Sequence, residues 1–301
     1  MSKVFIIGNG FDLDLGLKTR YIDFWKSELF ENYRRTKRNG LIAFLNRKAD
    51  ENSSWFDIEA LLREYVHLAD EHTDNNVSPN DFERDKNEFN EIRLNLASFL
   101  ELQIEHQTLN KRTMAARVLK EMVKVDSLAV YTFNYTNLYK IAEKLEICQK
   151  FDYKSVHGRS SDKTLILGIN DDVDVVPNFE FTYKTFSPYY QSVPLRFDLE
   201  EADEVVIFGL AMGNIDYPYF QDFFRHICNP KNSRDDRKRV TIFTYDENSR
   251  LSILRRLRAM NEKRVNYMFG QNEFEFIRTS DPNDELKLAR FLRRLEKEIN
   301  L

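Results

Sequence analysis

Glycines and reactive side chains lie where the short apolar runs of this 301-residue chain end. The group after the first run consists of Gly8, Asn9, Gly10, Phe11 and Asp12. Two glycines at such a turn let the backbone approach a ligand and point amide N–H groups at a phosphate. We therefore predict a nucleotide-binding loop. The alternative is a plain strand-to-helix turn, since the third glycine of the dinucleotide fingerprint is absent.

A second group follows the apolar run at 128–133, where an open α/β sheet places its ligand crevice. Asn134 carries a carboxamide that both donates and accepts, as is needed to hold a ribose hydroxyl or an attacking water. Thr136 lies two residues later and is assigned to the same ligand. The alternative for Asn134 is a cap on the helix that begins near Asn137.

The third group is His157 followed by Gly158, a glycine that lets the backbone turn away. An imidazole at the end of a strand can act as a general base near neutral pH, so we predict that His157 accepts a proton. The alternative is a buried structural histidine. Four histidines within helical patterns are interpreted as structural: His67, His72, His106 and His226.

The fourth group is the loop 209–216, which follows the run at 205–208 and leads into a helix. Gly209 opens this loop, and Asp216 closes it with a carboxylate that can bind ribose or orient another side chain; ordinary helix capping is the alternative. Because carboxyl ends of parallel strands share one edge of a sheet, we expect all four groups to line one hollow.

The elements that must position these groups are strands and helices in alternation. Runs interpreted as strands are 4–7, 128–133, 165–167, 205–208 and 240–243. They are apolar at successive positions, as expected when helices cover both faces of a sheet. Helical patterns occupy 138–146, 217–227, 249–260 and 284–299. This order predicts an α/β fold with a doubly wound, mostly parallel, Rossmann-like sheet.

Residues 19–123 break the alternation, because they carry helical spacing at 21–45, 55–68 and 82–109 and no strand-like run. We predict a helical insertion there, and a nucleotide-binding core made of 1–18 and 124–301. Ser54 with Asp57 fits a capping box, and 73–81 fits a solvent loop. Residues 170–201 lose periodicity and are interpreted either as a lid or as an irregular segment packed on the core.

Charge and composition exclude several classes of protein. The net charge of -4 combines 45 basic with 49 acidic residues, so nothing global steers the chain to nucleic acid or an anionic membrane. Acidic residues interrupt the basic stretch 231–264, which favours a solvated helix face over a nuclease surface. Two distant cysteines give no zinc or disulfide framework, and no apolar stretch reaches the roughly 20 residues that span a bilayer. We expect a soluble, cytoplasmic protein without a metal.

Six motifs in this order resemble those of the AbiH family of bacteriophage abortive-infection proteins over most of the chain. They are residues 6–12, Thr19-x-Tyr21-x-Asp23-Phe24, Trp55-x-Asp57-x-Glu59, residues 133–136, His157-Gly158 and residues 209–216. The resemblance implies a role in defence against bacteriophage.

A more distant resemblance is to sirtuin-like folds, in which a Gly-Ala-Gly loop, a Thr-Gln-Asn-x-Asp strand end and a His-Gly pair surround NAD. The matching residues, in the same order, are Gly8, Gly10, Asn134, His157 and Gly158. The departures are Asn9, Phe133 and Thr136, which replace the loop Ala, the Gln and the acidic residue. The cysteine count argues against the zinc module of lysine deacylases.

These resemblances imply NAD or a related nucleotide as substrate or ligand. We expect hydrolysis of its nicotinamide-ribose bond, with Asn134 and His157 as the catalytic residues. Nucleotide-binding positions are Gly8, Asn9, Gly10, Phe11, Asp12, Thr136, Gly158, Gly209 and Asp216. A sensor that binds the nucleotide without turnover, and a nuclease or nucleic-acid-binding effector, are the alternatives. Expected partners besides the nucleotide are a phage-derived trigger or a second copy of the chain.

Overall fold

The computed structural model describes residues 2–51, 56–71, 79–233 and 236–299. Within these ranges the strands are β1 (Lys3–Ile7), β2 (Leu128–Thr132), β3 (Lys154–Ser155), β4 (Glu204–Phe208), β5 (Arg239–Thr244) and β6 (Glu273–Arg278). They form one sheet in the order β3-β2-β1-β4-β5-β6, and every pair is parallel. This strand order is that of a doubly wound Rossmann fold, so the predicted fold class is confirmed.

Helices make up the rest of the framework. In the described ranges they are α1 (Asn9–Asp14), α2 (Tyr21–Trp25), α3 (Glu28–Arg35), α4 (Gly40–Glu51), α5 (Ile58–Glu71), α6 (Pro79–His106), α7 (Met114–Met122), α8 (Leu138–Lys144), α9 (Leu195–Glu201), α10 (Tyr217–Ile227), α11 (Glu247–Met260), α12 (Val265–Gln271) and α13 (Glu285–Ile299). Short 3₁₀ turns lie at Pro177–Thr182, Lys184–Phe186, Asn214–Asp216 and Pro282–Asp284. No helix in this part of the chain combines the length and the apolar character that crossing a membrane requires.

Alternate residues of each strand pack on opposite faces of the sheet. Val4 and Ile6 belong to a buried cluster with α9, α10, α11 and α12. Phe5 and Ile7 belong to a second cluster with α1, α7, α8 and α13. Because helices bury both faces, the central strands are apolar at successive positions, which is the pattern that identified them in the sequence.

Helices α2 to α6 build a separate core above the carboxyl edge of the sheet. Trp25 and Phe30 are fully buried in it, and the segment from Leu165 to Phe179 packs against the same cluster. Helix α7 packs instead on the sheet, beside α1. We call α2 to α6 the helical layer. The sequence-based division into core and insertion stays a prediction.

The strands predicted from sequence include one that is wrong and omit the edge strand β6. The run at 165–167 is not a strand, because its leucines are buried against the helical layer rather than in the sheet. Strand β6 was not predicted, since Glu273 and Glu275 alternate with Phe274 and Phe276 as expected for a half-exposed edge strand and not for a buried run.

Several helix assignments are also refined. The patterns at 138–146, 217–227, 249–260 and 284–299 are confirmed as α8, α10, α11 and α13, whereas 21–45 divides into three helices. Gly40, at a φ of +83°, begins the third of these. Segment 170–201 is irregular apart from 3₁₀ turns and α9. Trp55, the proposed cap at Ser54 and residues 73–78 of the proposed loop lie outside the described residues.

The loops after β1 and β4 meet through backbone alone, in what we call the glycine contact. Gly10 N donates to Gly209 O at 2.8 Å. A Cβ on Gly10 would lie 2.7 Å from Gly209 Cα, and one on Gly8 would lie 2.5 Å from Leu210 Cα. Gly209 also has a φ of +66°, a conformation that L side chains rarely adopt. These glycines are therefore required for packing.

Gly10→Ala should lower the free energy of unfolding by about 1–3 kcal/mol, because the new methyl group overpacks a contact made of backbone. The matched control is Gly270→Ala on α12. A Cβ there meets nothing within 4 Å, and alanine is the better helix former by roughly 1 kcal/mol. Urea denaturation of the three proteins tests this. Equal stability of Gly10→Ala and wild type would contradict the prediction.

Candidate functional site

A cavity of about 210 Å³ opens at the carboxyl ends of β1, β2 and β4, beneath the helical layer. The predicted site residues that line it are Asn9, Asp12, Asn134, Thr136, His157, Gly209 and Asp216. Residues from all four sequence groups therefore meet in one place. Thr19, Tyr21, Glu59, Leu96 and Leu100 close the cavity from the side of the helical layer.

Four predicted site residues do not line this cavity. Gly8 contributes its carbonyl to Asn134, and Gly10 faces a second hollow. The Phe11 side chain is buried in the core at 5.4 Å from the Phe208 ring. Gly158 turns at a φ of +73° against the Thr164 carbonyl, so its part is to shape the backbone.

The amide groups of the first loop are already engaged by protein. Gly8 N donates to Phe208 O at 2.9 Å, and Gly10 N donates to Gly209 O. Phe11 N donates to Gly8 O at 2.9 Å as α1 begins. The two glycines thus join the loops to each other, and these three amides do not point at a ligand.

Asp12, on α1, is a strongly perturbed carboxyl of the cavity. It is 1% exposed, and its Oδ2 accepts a hydrogen bond from Thr136 Oγ1 at 2.8 Å. Its Oδ1 has no hydrogen-bond partner among the described residues. Burial raises the pKa of Asp12 from 3.8 to about 7, and the neighbouring polar side chains of Thr136 and Asn134 offset only part of that effect. Asp12 therefore titrates near neutral pH.

Asn134 is held in one orientation beside Asp12. Its Nδ2 donates to Gly8 O at 3.1 Å, and its backbone N donates to Thr132 Oγ1 at 3.1 Å. Since no described residue donates to Oδ1, this oxygen is available to accept from a ligand. Asn137 caps α8 through bonds from Tyr139 N and Lys140 N, so the capping alternative for Asn134 is wrong.

His157 is buried among aromatic rings. Its ring lies edge-on to Phe133 at 5.5 Å and to Tyr219 at 6.4 Å, and it is 7% exposed. Burial, and after it the positive charge of Lys184, lowers the pKa of His157 well below its usual value. The imidazole is therefore neutral at pH 7. It can offer a hydrogen bond in the cavity, but it is a weak proton acceptor.

Sequence reasoning missed a buried ion pair at the cavity wall. Glu59 of α5 lies with Oε1 2.9 Å from Lys184 Nζ and accepts from Gly168 N at 3.2 Å. Burial raises the pKa of Glu59, and Lys184 opposes that shift. Glu59 was visible only as a motif position, and Lys184 lay in the irregular segment. No local pattern could have joined them.

Asp216 supplies a third carboxyl. Its Oδ2 accepts from Gly213 N at 3.0 Å, and it makes no side-chain capping bond to α10. Burial raises the pKa of Asp216 to about 6, while Lys184 acts in the opposite direction. We call the space between Asp12, Glu59, Asn134, His157 and Asp216 the acidic cavity.

A family model described as bacteriophage abortive infection AbiH matches residues 4–234. The match includes every segment that lines the acidic cavity. A comparison with curated proteins finds no match. The sirtuin-like resemblance stays a prediction.

Asp12→Asn should change how stability depends on pH. Unfolded Asp12 loses its proton near pH 3.8 and folded Asp12 near 7, so in wild type this group lowers stability progressively between those values. The full effect is about 4 kcal/mol above pH 7. Asparagine can keep the bond from Thr136 without the charge.

Urea denaturation of both proteins at pH 5 and pH 8 measures this. Asp12→Asn should be the more stable protein at pH 8, with the difference much smaller at pH 5. His157, Glu59 and Asp216 are present in both proteins, so the comparison between them isolates the contribution of Asp12. A stability difference that does not vary between the two pH values would show that Asp12 titrates normally.

Proposed function

Since the chain belongs to the AbiH family of bacteriophage abortive-infection proteins, we propose that it acts in that defence by hydrolysing the nicotinamide-ribose bond of NAD or of a related nucleotide. The acidic cavity would hold the ribose and the departing base. The observation that carries this proposal is a buried carboxyl, Asp12, which titrates near pH 7 beside an oriented carboxamide.

Charge is the first support for the proposal. Asp12, Glu59 and Asp216 surround the acidic cavity, and within the described part of the chain only Glu59 of the three is paired with a buried lysine. Phosphate is repelled by such a site. The nicotinamide ring of NAD is cationic, and cleavage of a ribosyl bond passes through an oxocarbenium-like state in which positive charge spreads onto the sugar. Carboxylates fixed in a buried site stabilise that charge strongly.

The size of the acidic cavity is the second support. At about 210 Å³ it is smaller than the ~300–1,000 Å³ of typical small-molecule sites, so it suits one part of a nucleotide and not a whole dinucleotide. Apolar walls from Leu96, Leu100 and Phe133 suit an aromatic base. The cavity also lies where the strand order reverses, which is where open α/β sheets bind nucleotides.

Proton transfer is better assigned to Asp12 than to His157. A general base works best when its pKa lies near the operating pH, which holds for Asp12 and not for the strongly depressed imidazole. The Asp12 Oδ1 lone pairs are free, and Oδ2 is fixed by Thr136. In this proposal neutral His157 contacts the substrate as a hydrogen-bonding group.

The reaction needs few groups. Asn134 Oδ1 accepts a hydrogen bond from a water molecule, and Asp12 takes a proton from that water as its oxygen bonds to the anomeric carbon of the ribose. The ribosyl bond breaks with its electron pair going to the nicotinamide ring, which leaves neutral without an acid. The products are nicotinamide, a hydroxyl on the anomeric carbon and one proton.

Incubation of the purified protein with NAD, with nicotinamide followed by chromatography, tests this. Wild type should release nicotinamide, and its rate should rise with pH through about 7 as Asp12 loses its proton. Asp12→Asn should lower the rate by roughly 10²–10⁴-fold, the usual contribution of a general base. Because Asp12→Asn is also expected to be the more stable protein, unfolding would not explain the loss.

The matched control is Asp126→Asn, an exposed aspartate before β2 at the amino edge of the sheet, which should keep wild-type activity. His157→Gln should lose less activity than Asp12→Asn. Equal activity of wild type and Asp12→Asn would remove the proposed role of Asp12. Saturable binding of NAD without release of nicotinamide would favour a sensor, and absence of both would exclude the nucleotide.

A further inference from the structure

A second hollow, of about 580 Å³, lies on the far side of the glycine contact at the carboxyl ends of β4 and β5. Asp14, Lys18, Thr244, Tyr245 and Thr279 line it, and we call it the Lys18 pocket. Gly209 lines both this pocket and the acidic cavity. The two spaces are thus neighbours, separated at that point by a ridge without side chains.

Thr244 lines the Lys18 pocket and carries an unsatisfied polar atom. The residue is 3% exposed, and its Oγ1 has no hydrogen-bond partner among the described residues. Its backbone carbonyl is already engaged, since Thr244 O accepts from Thr279 N at 2.7 Å. A buried hydroxyl without a partner is costly and uncommon in native proteins, so this one indicates a ligand group that is to be bound.

Charge at the rim of the pocket differs from that of the acidic cavity. Lys18 is exposed and has no ion-pair partner among the described residues. Arg20, two residues later, is held by Asp23 through bonds of 2.9 and 2.8 Å. Lys18 is therefore the cation available to an incoming anion, and lysine is a common ligand of phosphate.

The rest of the pocket suits a nucleoside. Phe208 and Phe243 form an apolar floor with rings stacked at 4.7 Å, and the Tyr245 ring stands 68% exposed at the rim. Asp14 accepts from Ala115 N at 2.8 Å, and the side chains of Thr113 and Thr279 also hydrogen-bond its carboxylate. A carboxylate has about four lone-pair sites, so it can still accept from a sugar hydroxyl. Burial raises the pKa of Asp14. The volume of the Lys18 pocket lies within the usual range for small-molecule sites.

We propose that the Lys18 pocket binds a nucleoside monophosphate unit, the AMP half of the dinucleotide whose nicotinamide-ribose half enters the acidic cavity. This inference rests on the proposed function. Lys18 binds the phosphate, Thr244 Oγ1 bonds a polar atom of the base or sugar, and Asp14 accepts from the ribose. The linking phosphates cross Gly10 and Gly209, where the backbone offers no side chain to obstruct them.

Calorimetry with AMP alone tests the Lys18 pocket independently of turnover. Wild type should bind AMP saturably at one site, and Lys18→Ala should weaken binding about tenfold through loss of one charge-assisted contact. Thr244→Val should also weaken AMP binding, yet its melting temperature should not fall, because valine removes an unpaired hydroxyl. Lys26→Ala, an exposed lysine outside the pocket, is the matched control and should bind AMP as wild type does.

Kinetics separate this inference from the proposed function. Lys18→Ala and Thr244→Val should raise KM for NAD and leave KM for nicotinamide mononucleotide, which lacks the AMP half, unchanged. AMP binding that depends on Lys18, in a protein that does not hydrolyse NAD, would support the pocket and contradict the proposed activity. Hydrolysis of NAD with no AMP binding and no change of KM in either variant would overturn the pocket and leave the activity standing.

Discussion

The architecture of the site depends on one close approach, that of the loop after β1 to the loop after β4. At this position the sheet order reverses, because β2 lies on one side of β1 and β5 on the far side of β4. Connections that leave in opposite directions open a gap at the carboxyl edge. Gly10 and Gly209 fill that gap with backbone alone, so a hollow remains on each side of them.

Helix α1 converts this approach into a placement of functional groups. It begins directly after the glycine contact, and the side chains of its six residues point in different directions around the helix axis. Phe11 enters the core beneath the sheet, Asp12 enters the acidic cavity and Asp14 lines the Lys18 pocket. A longer and more flexible turn between β1 and α1 would not hold these side chains in fixed directions, because they would be free to reorient.

The sequence predicted those features that depend on residues close together in the chain. Buried strands appear as apolar runs, and the turns that follow them predict Asn134, His157 and Gly209 as neighbours. Properties that arise from distant segments were not accessible. The perturbed pKa of Asp12 depends on burial by helices far along the chain, and the pairing of Glu59 with Lys184 depends on where an irregular segment crosses α5. The predicted strand at 165–167 was wrong for the same reason. An apolar run can be buried against the helical layer as well as in the sheet, and Leu165 and Leu167 pack against the helical layer.

The helical layer also determines what the acidic cavity can do. Leu96 and Leu100 of α6 close the acidic cavity that Asp12 lines, and Glu59 of α5 adds a second buried carboxyl. Without this cover Asp12 would face water, its pKa would return toward 3.8, and it would be a poor proton acceptor at neutral pH. The same burial destabilises the folded state when Asp12 is ionised. The ability of Asp12 to accept a proton and the destabilisation of the fold by its charge therefore have one cause, the burial of Asp12. The packing of the helical layer determines the size of both effects.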